Sequence, residues 1–226
     1  MSKWRYQLMA EELIFRLSGL FLFLIFMGIR GYYGRKAQPE GQKRTRQKRW
    51  ADQVRYESKI LVILRIVLVY TMIVFVLIWS LFPILIPAYT QIILVNLPVV
   101  RWIGVAICIA MILGMTWVGI HLDRQVSGTL EIKEGHTMVT SGPYTYIRHP
   151  MYLVYFIFNI GLFLITLNLI LLVIVLFGLL VIASRMRVEE EMMIEQFGDR
   201  YREYMEQTGR LFPRVRRKKD ASSEDE

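Results

Sequence analysis

The apolar residues of this chain are gathered into long runs that charged stretches separate. A run of about 20 apolar residues is long enough to cross the hydrocarbon core of a bilayer as an α-helix. Hydrophobic residues make up 54% of the 226 residues, and the mean hydropathy is +0.38. We therefore predict an all-α, multi-span integral membrane protein rather than a soluble globular one.

Three of the runs have the length of one span each, and a fourth, residues 151–183, is too long for one. The fourth run carries Asn168 near its middle, so we predict that it forms a hairpin of two short helices with a polar tip. A charged segment with apolar residues at roughly helical spacing follows, which predicts an amphipathic helix on the membrane surface. The predicted helices are 13–29, 60–81, 99–120, 151–167 and 169–183 in the membrane, and 188–207 on its surface.

The charged segments predict how these helices are oriented. Basic residues outnumber acidic ones in the loop 30–59, and a basic cluster at 214–219 precedes the acidic C-terminal end. By the positive-inside rule both segments face the cytoplasm, which places the N-terminus outside and the C-terminus inside. Contact with anionic lipid head groups then explains the net charge of +9, and no binding of nucleic acid is expected.

The predicted hairpin determines where the polar residues on either side of it lie. A hairpin returns the chain to the side of the membrane that it left, so the residues before Met151 and those after Ala183 meet at the cytoplasmic face. The two most unusual polar clusters of the sequence lie at these points, at 135–152 and 185–204. We therefore expect a functional site where the two clusters meet.

The first cluster combines the mouth of a helix with aromatic side chains. Pro150 suits the first turn of a helix, whose N-terminus offers free N–H groups and a positive dipole to a ligand. The rings of Tyr144, Tyr146 and Tyr152 are suited to stacking on an adenine or to contact with a sulfonium cation.

The second cluster contains an arginine and a glutamate, Arg185 and Glu189, four residues apart and so on one face of a helix. Taken singly, such residues have ordinary structural explanations. An exposed ion pair of this kind contributes only about 0.3–0.5 kcal/mol, Arg148 suits the positive-inside rule, and His149 could merely cap a helix. These explanations do not account for the position of both clusters at the two ends of one hairpin.

Together the clusters resemble the isoprenylcysteine carboxyl methyltransferase family. The shared pattern is H-x-x-V-x-x-G-P-Y-x-x-x-R-H-P-x-Y, followed after two helices by R-x-x-x-E-E and F-G-x-x-Y-x-x-Y. The upstream run 127–136 is similar to bacterial members in particular, which implies a bacterial inner membrane. In this chain the pattern comprises His136, Val139, Gly142, Pro143, Tyr144, Arg148, His149, Pro150, Tyr152, Arg185, Glu189, Glu190, Phe197, Gly198, Tyr201 and Tyr204.

The resemblance implies a methyltransferase that uses S-adenosyl-L-methionine and a membrane-embedded acceptor, most simply a prenylcysteine-like carboxylate. Residues 121–213 would form the catalytic region, between an N-terminal membrane region, 1–120, and a charged tail, 214–226. Arg185 would bind the acceptor carboxylate, and no metal is required. The residues implied to bind the cofactor are His136, Thr137, Met138, Val139, Tyr144, His149, Pro150, Met151, Tyr152 and Glu189.

The chemistry of methyl transfer is compatible with these roles. A carboxylate acceptor is already ionised near neutral pH, so the reaction needs no strong general base. Proximity and alignment can then supply much of the rate. The fork of an arginine holds a carboxylate through two hydrogen bonds, so Arg185 would orient the acceptor.

One departure from the family pattern leaves alternatives open. The family usually has glycine two residues after the tyrosine that is Tyr152 here, and this chain has Val154, whose branched side chain could narrow the site. The acceptor could also be a phospholipid amine. A sterol-reductase-like enzyme that uses NADPH carries a similar GPY…RHPxY block but normally has more spans. A non-catalytic membrane protein of the same fold is the third alternative, and Val154 would favour it.

Overall fold

The computed structural model describes residues 3–36, 57–92, 98–122 and 138–214. Short 3-10 turns lie at Pro83–Leu85, Ala88–Thr90 and Gly142–Thr145, and the described residues contain only isolated β-bridges and no named strand. The prediction of an all-α fold is therefore confirmed. The α-helices of the described part are α1 (Lys3–Lys36), α2 (Lys59–Leu81), α3 (Pro98–Leu122), α4 (Pro150–Thr166), α5 (Leu169–Phe197) and α6 (Asp199–Gln207).

Four helices, α1, α2, α3 and α5, are long and apolar enough to span a membrane. Helix α4 is apolar but has only 17 residues, so it is about 25 Å long at 1.5 Å per residue. Large apolar side chains such as Phe21, Leu113 and Leu180 are exposed on the outside of the bundle, as a surface that faces lipid requires. The chain is a multi-pass integral membrane protein, as the hydrophobic runs predict.

The turn between α4 and α5 closes the predicted hairpin. Leu167 adopts the left-handed conformation, with φ of 47°, and ends α4. Asn168 caps α5, because its side-chain oxygen accepts a hydrogen bond from the Ile170 N–H at 2.9 Å. Its amide nitrogen donates to the Thr90 hydroxyl at 2.9 Å. Asn168 is fully buried, so the tip of the hairpin packs against the residues that follow α2 and is not an open polar tip.

Helix α5 continues well beyond residue 183, where the sequence predicts its end. The residues 184–197 contain no proline or glycine, and their Glu, Met and Arg side chains favour a helix. Gly198, with φ of 55°, ends α5 and precedes α6. The predicted amphipathic helix 188–207 is therefore corrected, since its first half belongs to α5 and its second half to α6.

The most extensive helix contact joins α3 and α4 through small residues. A Cβ atom on Gly104 would lie 2.6 Å from the Gly161 carbonyl oxygen and 2.9 Å from the Ile165 nitrogen. Cys108 is fully buried at this contact and donates its S–H to the Phe158 carbonyl oxygen at 3.6 Å. Small residues allow two membrane helices to approach closely, and this contact holds the mouth of α4 at a fixed place.

A buried arginine joins three helices at the end of the bundle opposite the mouth of α4. Arg101 of α3 donates from Nε to the Ile165 carbonyl oxygen at 2.8 Å and from Nη1 to Glu12 at 2.5 Å. Its guanidinium lies 4.1 Å from the centre of the Phe15 ring. Glu12 also pairs with Arg16 at 3.0 Å. The charge of Arg101 is therefore compensated where α1, α3 and α4 meet.

We expect the substitution Gly104→Ala to destabilise the protein, because the new Cβ would meet backbone atoms of α4 that cannot move aside. The loss should be about 1–3 kcal/mol, as in other overpacked cores. Thermal unfolding in lipid nanodiscs measures it. The control is Gly28→Ala on α1, where an added Cβ has nothing within 4 Å, and which should leave the unfolding temperature unchanged or slightly higher. Equal unfolding temperatures for the two variants would contradict the close contact of α3 and α4.

Candidate functional site

The two polar clusters meet around a cavity of about 720 Å³. Ligand-binding cavities usually have volumes of roughly 300–1,000 Å³. One end of the cavity is polar and lies between the mouth of α4, the second half of α5, and α6. The rest is largely apolar and lies among α1, α2, α3 and the first half of α5, with lining side chains that include Phe23, Met72, Ile73, Ile174 and Val175.

At the polar end, residues from the two sides of the hairpin contact each other directly. The Tyr152 hydroxyl donates to Glu189 Oε1 at 2.6 Å. Arg185 Nε lies 2.7 Å from the Tyr152 oxygen and 2.8 Å from Glu189 Oε1. The side chain of Arg185 is only 8% exposed and that of Glu189 25% exposed, so the pair is not an ordinary surface ion pair. Burial weakens the screening by water and makes each partner depend on the other.

A carboxylate from outside both clusters also approaches Arg185. Glu57, just before α2, is fully buried, and its Oε2 accepts a hydrogen bond from Arg65 Nη1 at 2.8 Å. The same oxygen lies 3.7 Å from Arg185 Nη1. Burial raises the pKa of Glu57, and the nearby Arg185 opposes this effect. The sequence pattern did not predict a role for Glu57 or Arg65, although an arginine inside an apolar predicted span, as Arg65 is, indicates a functional environment.

Glu190 follows Glu189 in the chain but has different partners. It is buried, and Arg148 Nε donates to its Oε1 at 2.9 Å while His149 Nε2 lies 3.3 Å from the same oxygen. Arg210 binds its other oxygen, which raises the pKa of Arg210. Glu190 does not line the cavity. The resemblance gave Glu190 no separate role, and the structure places it as the centre of a charged cluster behind the site.

The segment after α6 pairs with the residues before α4. The Arg148 N–H donates to the Gly209 carbonyl oxygen at 2.8 Å, and the His149 N–H donates to the Arg210 carbonyl oxygen at 3.1 Å. In return the Gly209 N–H donates to the Tyr146 carbonyl oxygen at 3.2 Å. These backbone bonds fix the chain that leads into α4, so His149 and Tyr152 are held in place from both sides.

Three tyrosines complete the polar end of the cavity. The Tyr204 hydroxyl donates to the Tyr144 carbonyl oxygen at 2.6 Å. Burial raises the pKa of Tyr204 to about 12, and it also raises the pKa values of Tyr144 and Tyr201. All three therefore carry neutral hydroxyls near neutral pH. Tyr146, in contrast, is 62% exposed and does not line the cavity, so it is not placed to stack on a ligand there.

The structure brings most of the predicted site residues to this one cavity. His136 and Thr137 lie outside the described residues. Pro150 is buried at the first turn of α4 but does not line the cavity. The role of each predicted site residue toward a ligand is still a prediction. The predicted residues that line the cavity are Met138, Val139, Tyr144, His149, Met151, Tyr152, Arg185 and Glu189.

Val154, the departure from the family pattern, faces away from the cavity. It is 8% exposed and packs against α3, where its Cγ2 would lie 3.5 Å from a Cβ on Gly114. It is absent from the cavity lining. A separation of 3.5 Å is an ordinary packing distance, and Val154 therefore packs on α3 and does not narrow the cavity. The main reason to regard the protein as non-catalytic is thereby removed.

Comparisons with known proteins agree with this geometry. The model of the isoprenylcysteine carboxyl methyltransferase (ICMT) family matches residues 102–195. The protein-S-isoprenylcysteine O-methyltransferase of Saccharomyces cerevisiae is 44% identical over 75 residues, which cover 33% of this chain and 31% of that protein. The Tribolium castaneum protein of the same name is 33% identical over 84 residues, which cover 37% of this chain and 30% of that protein. The alignments thus span about a third of each relative.

The fold is similar to that of the eukaryotic intramembrane Ras methyltransferase ICMT. The two structures superpose with a TM-score of 0.51 at 18% sequence identity, over 87% of this chain and 67% of that one. At this identity the likeness establishes the fold alone. The match to the family model covers α4, most of α3 and nearly all of α5, and α4 and α5 carry Tyr152, Arg185 and Glu189. In its segment 102–195 this chain is similar to the isoprenylcysteine carboxyl methyltransferase family.

Proposed function

We propose that this protein is an S-adenosyl-L-methionine-dependent methyltransferase that acts on a membrane-embedded carboxylate, as protein-S-isoprenylcysteine O-methyltransferases do. One observation carries the proposal. Buried Arg185 and partly buried Glu189 lie at the polar end of a cavity whose other walls are largely apolar and belong to membrane spans. An acceptor with a carboxylate and an apolar tail requires a polar wall for the carboxylate and an apolar wall for the tail within the same cavity.

The polar end also fits the cofactor. Glu189 can accept hydrogen bonds from an ammonium group, and the rings of Tyr201 and Tyr204 line the space beside it. Gln196 Oε1 is buried without a hydrogen-bond partner among the described residues and lies on a residue of the cavity lining, which supports a polar ligand there. When bound, S-adenosyl-L-methionine supplies a methyl group on a positively charged sulfur that is open to displacement by a nucleophile.

Arg185 would hold the acceptor carboxylate. Its Nε is already directed toward Tyr152 and Glu189, so its side chain is fixed before a ligand arrives. A fixed guanidinium orients a carboxylate at little entropic cost. Because Glu189 offsets part of the positive charge, the acceptor keeps enough electron density to act as a nucleophile. The carboxylate needs no base near neutral pH, so orientation is the main contribution expected of these side chains.

We further propose that the polar end of the cavity faces the cytoplasm. The basic end of α1, with Arg35 and Lys36 in its last turn, lies next to this end, and Arg35 lines the cavity. The basic loop 30–59 and the basic cluster 214–219 also flank it in the sequence. The similarity of the run 127–136 to bacterial members of the family supports a bacterial inner membrane as the location. The expected partners are prenylated or lipid-like acceptors.

The purified protein in lipid should bind S-adenosyl-L-methionine and gain thermal stability from it. A ligand at 100 times its dissociation constant stabilises the folded state by about 2.7 kcal/mol. Calorimetry and thermal unfolding measure the two effects, and S-adenosylhomocysteine should bind in the same manner. Binding of NADPH in the absence of any binding of S-adenosyl-L-methionine would refute the proposed activity and favour a reductase.

The substitution Arg185→Lys should lower methyl transfer to a prenylcysteine acceptor at least tenfold and change cofactor affinity less than threefold. Lysine keeps the positive charge but cannot form the two parallel hydrogen bonds of a guanidinium. Turnover with isotope-labelled cofactor and calorimetry measure the two quantities. The matched control is Arg187→Lys, because Arg187 lies on the same helix and is exposed. A parallel loss of turnover and cofactor affinity in Arg185→Lys would remove this residue from the acceptor role.

The substitution Glu189→Gln should instead weaken cofactor binding about tenfold or more, because it removes the negative charge that would face the ammonium group. Calorimetry with S-adenosyl-L-methionine measures the change. Glu191→Gln provides the control, since Glu191 is on the same helix and exposed. Unchanged cofactor affinity in Glu189→Gln would show that the amino end of the cofactor binds elsewhere.

A further inference from the structure

We infer that Glu57 and Arg65 are positioning residues that set the orientation of Arg185 for the acceptor carboxylate. This inference rests on the proposed function and deepens it. Both residues precede residue 102, where the match to the family model begins. The chain therefore completes its acceptor site with residues from the loop before α2 and from α2 itself, outside the segment that carries the family pattern.

The contacts of Arg185 divide its guanidinium into two sides. Nε faces Tyr152 and Glu189, at 2.7 and 2.8 Å. Nη1 faces Glu57 Oε2 at 3.7 Å, a distance that allows Coulomb attraction but is too long for a hydrogen bond. No hydrogen bond joins Nη2 to any residue that the structure describes. The two carboxylates thus hold the guanidinium from two directions and leave part of it open for a ligand.

Glu57 is itself fixed, which is what a positioning residue requires. Its side chain is fully buried, and Arg65 Nη1 binds its Oε2 at 2.8 Å. Arg65 lines the cavity together with Arg185, whereas Glu57 does not line it. Glu57 therefore lies behind the two arginines and connects them, and it would act on the acceptor only through Arg185.

Buried groups left without hydrogen bonds mark this contact as incomplete. Glu57 Oε1 and Arg185 Nη1 are both buried and have no hydrogen-bond partner among the described residues. Such atoms are costly, and in native proteins they often mark a place where a ligand or a small movement supplies the missing partner. A small movement of either side chain would bring Arg185 Nη1 and Glu57 within hydrogen-bond distance of each other.

The balance of charge also suits a carboxylate acceptor. Arg65 and Arg185 bring two positive charges, and Glu57 and Glu189 bring two negative ones. The burial that raises the pKa of Glu57 is opposed by Arg185. An acceptor carboxylate would meet arginines whose charges the two glutamates partly offset, so the cluster would orient it without neutralising it. Without Glu57, Arg185 would be free to turn toward Glu189 alone.

The test uses the substitution Glu57→Gln in the full-length protein, with S-adenosyl-L-methionine and N-acetyl-S-farnesylcysteine as probes. Glutamine keeps the oxygen that Arg65 binds but removes the charge that Arg185 faces. We expect kcat/KM for the farnesylcysteine probe to fall about tenfold, while the dissociation constant and the binding stoichiometry of S-adenosyl-L-methionine change less than twofold. Glu57→Asp, which keeps the charge, should recover part of the loss.

Two further variants separate positioning from a general structural role. Combining Glu57→Gln with Arg185→Lys should give little loss beyond that of Arg185→Lys alone, because both changes act on the same contact. The control Glu12→Gln alters a carboxylate that also contacts two arginines, but at the opposite end of the bundle. It is expected to lower the unfolding temperature and to leave kcat/KM for the probe unchanged.

The inference is overturned if Glu57→Gln keeps the kcat/KM of the wild type, if its effect adds fully to that of Arg185→Lys, or if cofactor stoichiometry falls in proportion to activity. A wild-type protein that binds cofactor but methylates no acceptor would refute the proposed function instead. In that case, equilibrium binding of the two probes tests the inference. We expect the wild type to bind farnesylcysteine carboxylate more tightly than its carboxamide, and Glu57→Gln to reduce this preference. If either expectation fails, the inference is wrong.

Discussion

The structure of the site depends on one buried arginine. Taking a guanidinium out of water costs several kcal/mol unless opposite charges and hydrogen bonds compensate it. The protein compensates Arg185 with Tyr152 from α4, Glu189 from its own helix and Glu57 from the loop before α2. These partners come from three places in the chain. Their arrangement requires α2, α4 and α5 to pack together, so the electrostatics of the site and the packing of the helices stabilise each other.

A second charged cluster, around Glu190, fixes the mouth of α4 on the side away from the cavity. Arg148, His149 and Arg210 converge on this one carboxylate, and the backbone after α6 pairs with the backbone before α4. The two clusters are joined by His149, whose ring lies 3.3 Å from Glu190 and 3.7 Å from Glu189. The Arg185 side of the cavity and the segment after α6 are thereby connected through direct contacts.

The close contact of α3 and α4 explains why this short helix can support the site. Backbone atoms of Gly104 and Gly161 approach until no side chain fits between them, and Val154 packs against Gly114 nearby. A residue that departs from the family pattern therefore has a packing role at a neighbouring glycine. Because the family match covers only the segment 102–195, the polar contacts from Glu57 and Arg65 come from outside the matched part of the chain.

The sequence by itself determined the membrane-spanning character, the hairpin and the face shared by Arg185 and Glu189, because hydropathy, run length and helical spacing are local properties. It did not determine where α5 ends, because the helix continues past the end of the apolar run at residue 183 and stops only at Gly198. It gave no separate position to Glu190. Adjacent residues of a helix point about 100° apart, and only the packing of the neighbouring helices showed that Glu190 faces away from the cavity. The contact of Glu57 with Arg185 joins residues far apart in the chain, and only the tertiary structure brings them together.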